Sequence, residues 1–452
     1  MNGLKNLMRY QRLNGNLMPT RKWLANNGRI YFYSTCILVA MAFHQALPLL
    51  ASGNGSGIEK GYTLKQLERM VLESNPEVLA QRLEERQSKS DIVTAGLIPN
   101  PQLNLTGDIL PTSIKKYNPQ DKQYGASLQV PIELGAKRKY RIEKAKYASV
   151  VTRYQANDVI RLSILAVRLA YWDALLAKEE LKISEENLKT YEQLVALNEI
   201  RFKTSMISAT ELSRSQVVRK QAELQADDAR LGYSNALQSL LRAVGLNINL
   251  KLNDKLAPIE EPVAALNEVL KNAMENRPDL QALRISRKTL VANKSLQDAN
   301  AFPTIAASAD FTQSQREQYY GVSAQVPIPM FDRNQGEREK AKLQIIQLDK
   351  RIGLAELRIK SEVESAYHEY ITRKSAVSKF QSDDKEAILA KAAEIKKAGE
   401  FAYKKGATSL IDYLDIIRTY SDIFKSYVEA LAQYNKSISQ LKAVEGLDIS
   451  VK

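Results

Sequence analysis

The stretch Tyr124-Gly-Ala-Ser-Leu-Gln-Val-Pro-Ile132 returns as Tyr320-Gly-Val-Ser-Ala-Gln-Val-Pro-Ile328, 196 residues further along this chain of 452 residues. A second pair of similar segments, Phe202 to Glu211 and Tyr403 to Asp412, is separated by 201 residues. The repeats of solenoid proteins run to about 50 residues, so this period is too long for a solenoid. We therefore predict an internal duplication, with two copies of one structural unit.

Both copies of the motif, and the segment before each copy, alternate apolar with polar residues. The apolar positions are Leu103, Leu105, Ile109, Tyr124, Ala126, Leu128, Val130 and Ile132 in the first copy, and Ile305, Ala307, Ala309, Phe311, Tyr320, Val322, Ala324, Val326 and Ile328 in the second. Runs of about ten such residues are typical of transmembrane β-strands, with lipid on one face and water on the other. A half-buried hairpin in a soluble sheet alternates in the same way, so the strands alone leave both interpretations open.

Long segments without proline follow each predicted strand hairpin, from Gly135 to about Lys203 and from Phe331 to about Lys405. At 1.5 Å per residue, each is predicted to form one helix of about 100 Å, which is too long for a compact core. Apolar residues recur at alternating steps of three and four, the pattern of coiled-coil packing. They are Leu162, Leu165, Leu169, Trp172 and Leu176, and Ile417, Tyr420, Phe424, Tyr427, Leu431, Tyr434, Ile438 and Leu441. The predicted fold class is mainly α, with long coiled-coil helices and four β-strands per chain.

The domain plan and the stoichiometry follow from this pattern. The first repeat spans 62–245 and contains a helix, a strand hairpin at 101–134 and a helical hairpin with its tip near 203–210. A linker follows over 246–263. The second repeat spans 264–446 and contains a helix, a strand hairpin at 303–330 and a helical hairpin with its tip near 404–411. An open sheet edge in lipid leaves unpaired backbone groups that cost several kcal/mol each, so the sheet must close between chains. Two chains would give eight strands with a filled interior, whereas three give twelve strands and room for a water-filled pore. We predict a homotrimer with a twelve-stranded membrane β-barrel.

Residues 1–51 are predicted to be a secretory signal peptide. Six basic residues and no acidic one precede an apolar run from Ile30 to Leu50, which ends near the small residue Ala51. An uncleaved membrane anchor is the alternative, because the run approaches the ~20 residues that a span needs. Both interpretations place the rest of the chain outside the cytoplasm. The single cysteine, Cys36, lies within this segment.

The composition argues against nucleic-acid binding and against enzyme chemistry. Of the net charge of +14, six positive charges belong to the signal segment, and the mild excess that remains contains no block of lysine and arginine. His368 is the only histidine beyond that segment, and it has no partners at metal-ligand spacing. Phosphate-binding glycine loops and nucleophile motifs are missing from the sequence. We predict no catalytic residue, no metal site and no cofactor.

From Tyr62 to Gly446 the chain resembles the TolC-type family of outer-membrane efflux proteins. The residues that carry the resemblance are the paired Val-Pro-Ile strand ends and the two helix turns, Phe202 to Leu212 and Tyr403 to Tyr413. The segment Asn75-Pro76-Glu77 and the short C-terminus are similar to the heavy-metal branch of the family. The resemblance implies a trimeric β-barrel in the outer membrane, continued across the periplasm by a long α-helical barrel.

The same resemblance implies the function and the partners. It points to the outer-membrane duct of a tripartite efflux system in a Gram-negative bacterium, exporting small molecules or metal cations without chemistry of its own. The implied partners are two further copies of the chain, outer-membrane lipid, a periplasmic adaptor protein and an inner-membrane pump that is expected to be proton-driven. A channel for type I protein secretion has the same architecture and remains an alternative. A structural periplasmic coiled-coil adaptor would need one helical hairpin and no amphipathic strands.

The two helix turns are predicted to be the periplasmic tips. Ser205 and Gly406 stand at the bends, where a residue that tolerates positive φ is needed. Ser208 and Ser409 are placed to cap the helices that follow. These turns are where we expect the functional residues of the channel.

Asp412 and Asp415 lie three residues apart, so they share one face of a helix. In a trimer they would form two stacked rings of carboxylates, and the resemblance places the pore constriction of the family at these positions. Without the resemblance, two acids near a helix N-terminus indicate a solvated end that the helix dipole favours.

The resemblance also assigns a gate to the tip. Tyr403, Glu211 and Thr210 match family positions that form hydrogen bonds between neighbouring helix pairs, and we expect Tyr403 to bind Glu211. The family carries an arginine where this chain has Thr408, so one ionic tie of the closed state is missing. Lys404 or Lys405 is the candidate to replace it.

Overall fold

The computed structural model describes residues 61–109, 122–314, 317–381 and 388–446. The predicted signal segment therefore lies outside the described residues. The first half contains β1 (Gly61–Tyr62), α1 (Leu64–Ser74), α2 (Pro76–Gly96), β2 (Gln102–Ile109), β3 (Lys122–Glu133), α3 (Lys137–Lys203) and α4 (Ala209–Val244). The second contains β4 (Lys251–Leu252), α5 (Leu266–Asn276), α6 (Pro278–Asn300), β5 (Thr304–Ser314), β6 (Glu317–Gln325), α7 (Gln335–Gln381), α8 (Ile388–Lys405) and α9 (Leu410–Glu445).

The helices are long, and they occur in the same order in both halves. α3 runs for 67 residues, about 100 Å at the rise of an α-helix. Its counterpart in the second half is described as α7 and α8, on either side of residues 382–387, which lie outside the described part of the chain. None of the described helices combines the length with the apolar character that crossing a membrane requires.

The four longer strands form one antiparallel sheet in the order β2-β3-β5-β6. The two strand hairpins meet in the middle, where Ile132 pairs with Ile305 and Ala126 with Phe311. This register places the predicted apolar positions on a single face. Its large side chains are exposed in one chain: Leu103 at 64%, Leu105 at 75%, Leu128 at 48%, Tyr320 at 79% and Val322 at 90%. Alternating polar residues occupy the opposite face.

The two strands that carry the repeated motif end differently, which corrects the prediction for the second copy. Pro131 lies inside β3 and is paired with Ala306 of β5. β6 stops at Gln325, so Val326, Pro327 and Ile328 lie beyond the strand. β3 has a neighbour on each side, whereas β6 is paired along β5 alone in the described chain. A proline cannot donate a hydrogen bond to a neighbouring strand, and here it ends the weaker of the two.

Tight turns lead from the sheet into the long helices. Gly135 and Ala136 both adopt the left-handed conformation, with φ of 75° and 60°. A Cβ atom at Gly135 would lie 2.9 Å from Cδ2 of Phe302, so only glycine fits this turn.

Each half has its own hydrophobic core where the short helices pack against the long ones. Leu67, Val71 and Val78 are fully buried in the first core. Val269, Ala273 and Leu280 are fully buried in the second. Each residue of the second set follows its counterpart by 202 residues, so the two halves bury the same positions of the repeated unit.

Candidate functional site

The two helical hairpins end in turns of the same geometry. Ser205, with φ of 58°, follows α3, and Gly406, with φ of 75°, follows α8. The amide of Met206 donates to the carbonyl of Arg201 at 2.8 Å, and the amide of Ala407 donates to the carbonyl of Ala402 at 2.8 Å. A left-handed residue with this bond from the next residue back to the last helical turn ends many helices. The predicted bends at Ser205 and Gly406 are present.

Serine residues begin the helix that follows each turn. The hydroxyl of Ser208 accepts from the amide of Glu211 at 3.2 Å, and the Glu211 carboxylate accepts from the amide of Ser208 at 3.0 Å. The hydroxyl of Ser409 accepts from the amide of Asp412 at 3.1 Å and donates to the Asp412 carboxylate at 2.7 Å. The capping roles predicted for Ser208 and Ser409 are present, and both acids favour the positive end of the helix dipole.

Asp412 and Asp415 lie exposed in the first turns of α9. The Asp412 carboxylate accepts a hydrogen bond from the Ser409 hydroxyl, so in one chain it interacts with the N-terminus of its own helix. Whether three copies bring these carboxylates around one axis depends on the assembly. Their role at a constriction therefore stays a prediction.

Tyr403 connects the two hairpins, but not through the predicted partner. Its side chain is 3% exposed, and its hydroxyl donates to Oδ1 of Asn198 on α3 at 2.6 Å. Its ring stacks on Tyr413, with centroids 4.9 Å apart and an angle of 13° between the planes. Glu211 is engaged with Ser208 at the start of its own helix. The bond expected between Tyr403 and Glu211, which would join neighbouring helix pairs, stays a prediction. Thr210 lies exposed beside it in the first turn of α4.

The sequence analysis missed Asn198. Asn198 is fully buried on α3, five residues before the end of the helix. Its Nδ2 is the one buried side-chain nitrogen or oxygen in the described residues that has no hydrogen-bond partner. The signal available in the sequence was an asparagine near the predicted end of a helix. The pattern around it did not indicate that its side chain is buried.

Arg201 was also missed, and it forms a second connection between the hairpins. Its Nη2 atom donates to the carbonyl of Tyr403 at 2.7 Å and to that of Lys404 at 3.3 Å. The guanidinium lies 4.8 Å from the centre of the Tyr403 ring, within reach of a cation–π interaction. The available signal was a basic residue in the last turn of a helix that faces another hairpin.

The lysines proposed to replace the arginine missing at Thr408 are engaged on their own helix. Lys404 forms an exposed ion pair with Glu400 at 2.6 Å, one turn back along α8. The Lys405 ammonium lies 5.7 Å from the centre of the Phe401 ring. Neither contact joins two hairpins, so neither lysine replaces the tie within one chain.

Burial governs the titratable groups behind the tip. It raises the pKa of Tyr413 to about 12, with smaller contributions from Glu400, Tyr191 and Tyr403. On α8, burial lowers the pKa of Lys396, and the carboxylates of Glu186 and Glu400 oppose that shift. The Lys396 ammonium lies 4.1 Å from the centre of the Tyr420 ring. Neutral phenols and the half-buried Lys396, with its aromatic and acidic neighbours, therefore lie behind the tip.

No set of three histidine, cysteine, aspartate or glutamate side chains in the described residues could hold a metal ion. His368 is exposed in the middle of α7. Hydrogen bonds and a cation–π contact connect the two hairpins next to their turns.

Comparison with known proteins agrees with this architecture. Residues 67–246 and 269–447 match the family described as outer membrane efflux protein. The cobalt-zinc-cadmium resistance protein CzcC of Cupriavidus metallidurans is 24% identical over 370 residues, covering 79% of this chain and 83% of CzcC. The probable outer membrane lipoprotein SilC of Salmonella typhimurium is 25% identical over 397 residues, covering 82% of this chain and 84% of SilC.

Among solved structures, a crystal structure of the CusC channel superposes with a TM-score of 0.69 at 19% sequence identity. The match covers 84% of this chain and 91% of that one. It establishes the mainly helical fold of the TolC-like channels for this chain.

Proposed function

Because the chain belongs to the outer membrane efflux protein family, we propose that three copies form the outer-membrane duct of a tripartite efflux system. Family membership confirms the predicted location in the outer membrane and the prediction that the chain is a channel protein and not an enzyme. The proposal concerns the assembly, the direction of transport and the cargo.

The observation that carries the proposal is the four-stranded sheet. Its apolar face is exposed in one chain, and β2 and β6 stand at its two edges. Backbone groups at those edges need partners within a membrane, and β6 of one copy can pair with β2 of the next in the antiparallel sense. Three copies would supply twelve strands, enough for a water-filled barrel.

Cargo would pass through the barrel from the periplasmic side to the exterior, along a duct formed by the long helices. We propose the tips at 203–210 and 404–411 as the periplasmic entrance, with Asp412 and Asp415 at its narrowest point. A periplasmic adaptor protein would dock at these tips, and an inner-membrane pump, expected to be proton-driven, would supply the energy.

Metal cations are the proposed cargo class, because CzcC is named for cobalt, zinc and cadmium resistance and CusC for cation efflux. Other relatives are named for antibiotic and toluene efflux, so small organic molecules are the second class. A protein-secretion channel shares the architecture, and none of these relatives is named for secretion.

Three measurements test the proposal. Native mass spectrometry of protein extracted from outer membranes should give a trimer, and planar bilayers should show discrete conductance steps. Deleting the gene should raise sensitivity to divalent metal cations, and restoring it should reverse the effect. A monomer without conductance would overturn the proposed duct, whereas a conducting trimer without any change in metal sensitivity would overturn only the cargo.

A further inference from the structure

We infer that Arg201 ties the two helical hairpins of one chain together at their tips and so limits how far the tip opens. The inference rests on the proposed channel function and assigns one residue to the control of its entrance.

The contacts of Arg201 reach from one hairpin to the other. Its guanidinium donates from α3 to the carbonyls of Tyr403 and Lys404, in the last turn of α8. The last carbonyls of a helix lack partners within the helix and carry the negative end of its dipole. The Tyr403 carbonyl also accepts from the Gly406 amide at 3.0 Å, so the Arg201 cation adds a charged donor from the other hairpin to this helix end.

The tie is the outermost of three layers between the hairpins. The innermost is apolar and contains Leu194 on α3 and Ile417 on α9. The middle layer is the bond between Asn198 and Tyr403. Arg201 lies one helical turn after Asn198 on α3. Of the three layers, its contact is the one nearest the helix turn.

The middle layer contains a polar group without a hydrogen-bond partner, so the contact between the hairpins depends more strongly on the outer layer. Nδ2 of Asn198 is buried without a partner in the described residues, and an unpaired buried amide opposes this packing of the two hairpins. The hydrogen bonds of Arg201 favour the contact between the hairpins. They are strong because their donor is charged, and such bonds are stronger than neutral ones.

The duplication does not supply this tie twice. The residue 201 positions after Arg201 is Ala402, whose side chain cannot donate. The contact therefore runs from the first hairpin to the second only, and one substitution removes it from each chain.

The test measures the separation of the tips directly. In a Cys36→Ser background, Met206→Cys and Ala407→Cys would carry spin labels on the two turns of the purified trimer in detergent. Arg201→Ala should broaden the distance distribution and extend it to longer distances, and in bilayers it should raise conductance several-fold. Arg201→Lys keeps the charge but loses the planar fork and the stacking, and it should give an intermediate result.

Lys203→Ala is the matched control, because it removes a positive charge from the same helical turn at an exposed position. It should leave the distance distribution unchanged. A distribution in Arg201→Ala that equals that of Lys203→Ala would overturn the inference. A protein that does not conduct at all would contradict the proposed function instead, and the distances would still decide the role of Arg201.

Discussion

The hydroxyl of Tyr403 and Oδ1 of Asn198 lie 2.6 Å apart, and both side chains are closed to solvent. The two residues are 205 positions apart in sequence and belong to different halves of the duplication. Within one chain, this bond links the two halves next to their helix turns.

Removing either partner of this bond should cost more than removing both. Tyr403→Phe leaves the whole Asn198 amide unpaired in a buried place, at about 1 to 3 kcal/mol per chain. Asn198→Leu leaves the phenol unpaired at a similar cost, about 1 to 3 kcal/mol. The double variant should be clearly more stable than the sum of the two losses predicts, as measured by apparent melting temperature from circular dichroism. Strict additivity would show that the bond contributes nothing.

The two faces of β3 should respond oppositely to a charge. Leu128 lies on the exposed apolar face and Gln129 on the polar one. Leu128→Arg should cost about 2 to 4 kcal/mol if the position is near the bilayer midplane, whereas Gln129→Arg should be tolerated. The yield of trimer in outer-membrane fractions measures the difference. Equal yields of the two variants would show that the faces are assigned wrongly.

The two exposed acids of α9 should set the ion preference of the entrance. Six carboxylates around one axis would favour cations over anions. Asp412→Asn combined with Asp415→Asn should therefore reduce the permeability ratio of cations to anions and weaken block by multivalent cations, measured from reversal potentials in planar bilayers. Asp422→Asn, further along the same helix and also exposed, is the control. An unchanged reversal potential in the double variant would place the constriction elsewhere.

The ion pair between buried Arg277 and half-buried Asp279 should make the second core sensitive to acid. Arg277 is 5% exposed and binds Asp279 through two hydrogen bonds, at 2.7 and 3.1 Å. Burial raises the pKa of Asp279, but the bonds from Arg277 outweigh it and hold this pKa below its usual value of 3.8. A lowered folded pKa gives stability that is present above the usual pKa and is lost as the pH falls through the folded one.

The difference in melting temperature between wild type and Asp279→Asn should therefore be constant from pH 8 to about pH 5 and shrink below about pH 4. Thermal unfolding followed at several pH values measures it. A difference that does not shrink at all between pH 5 and about pH 3 would mean that the carboxylate is not what stabilises the pair.

The strands could be predicted because apolar and polar residues alternate along each of them and so identify its two faces. The alternation assigned the apolar positions within the strands to the face on which the register places them, whereas Val326 and Ile328 lie beyond β6. The contact between the two strand hairpins could not be predicted, because no local pattern fixes which strands become neighbours. The end of β6 was placed three residues too late for the same reason, since the neighbours of a strand decide where it ends.

The stripe predicted on α3 was correct at Trp172, which is buried in the first core, and wrong at Leu162. Leu162 is 47% exposed, whereas Ile160, Ile164, Val167 and Tyr171 are buried. A pattern of steps of three and four assumes one partner, but α3 packs against helices on several sides, and the buried stripe is the one that faces the first core. On α9 the stripe was placed correctly, and Ile417, Leu431, Ile438 and Leu441 are all buried.

The site could be predicted where it is local. Ser208 and Ser409 were identified as caps because a cap is read from residues three positions apart. Asn198 and Arg201 were missed because their partners lie more than 200 residues away, and no pattern within a few turns of helix records such a contact.

The pairing of β3 with β5 also constrains the order in which the molecule can be made. Ile132 pairs with Ile305, so the central ladder joins segments separated by 173 residues. Closing so long a loop costs entropy before the strands form any hydrogen bond, whereas the backbone hydrogen bonds of the intervening helices join residues only four positions apart. We expect the helices to gain protection early in refolding and the β3 to β5 amides late, and pulsed hydrogen exchange would show it. The four-stranded sheet of each chain would then remain incomplete until all residues up to Gln325, the last residue of β6, are available.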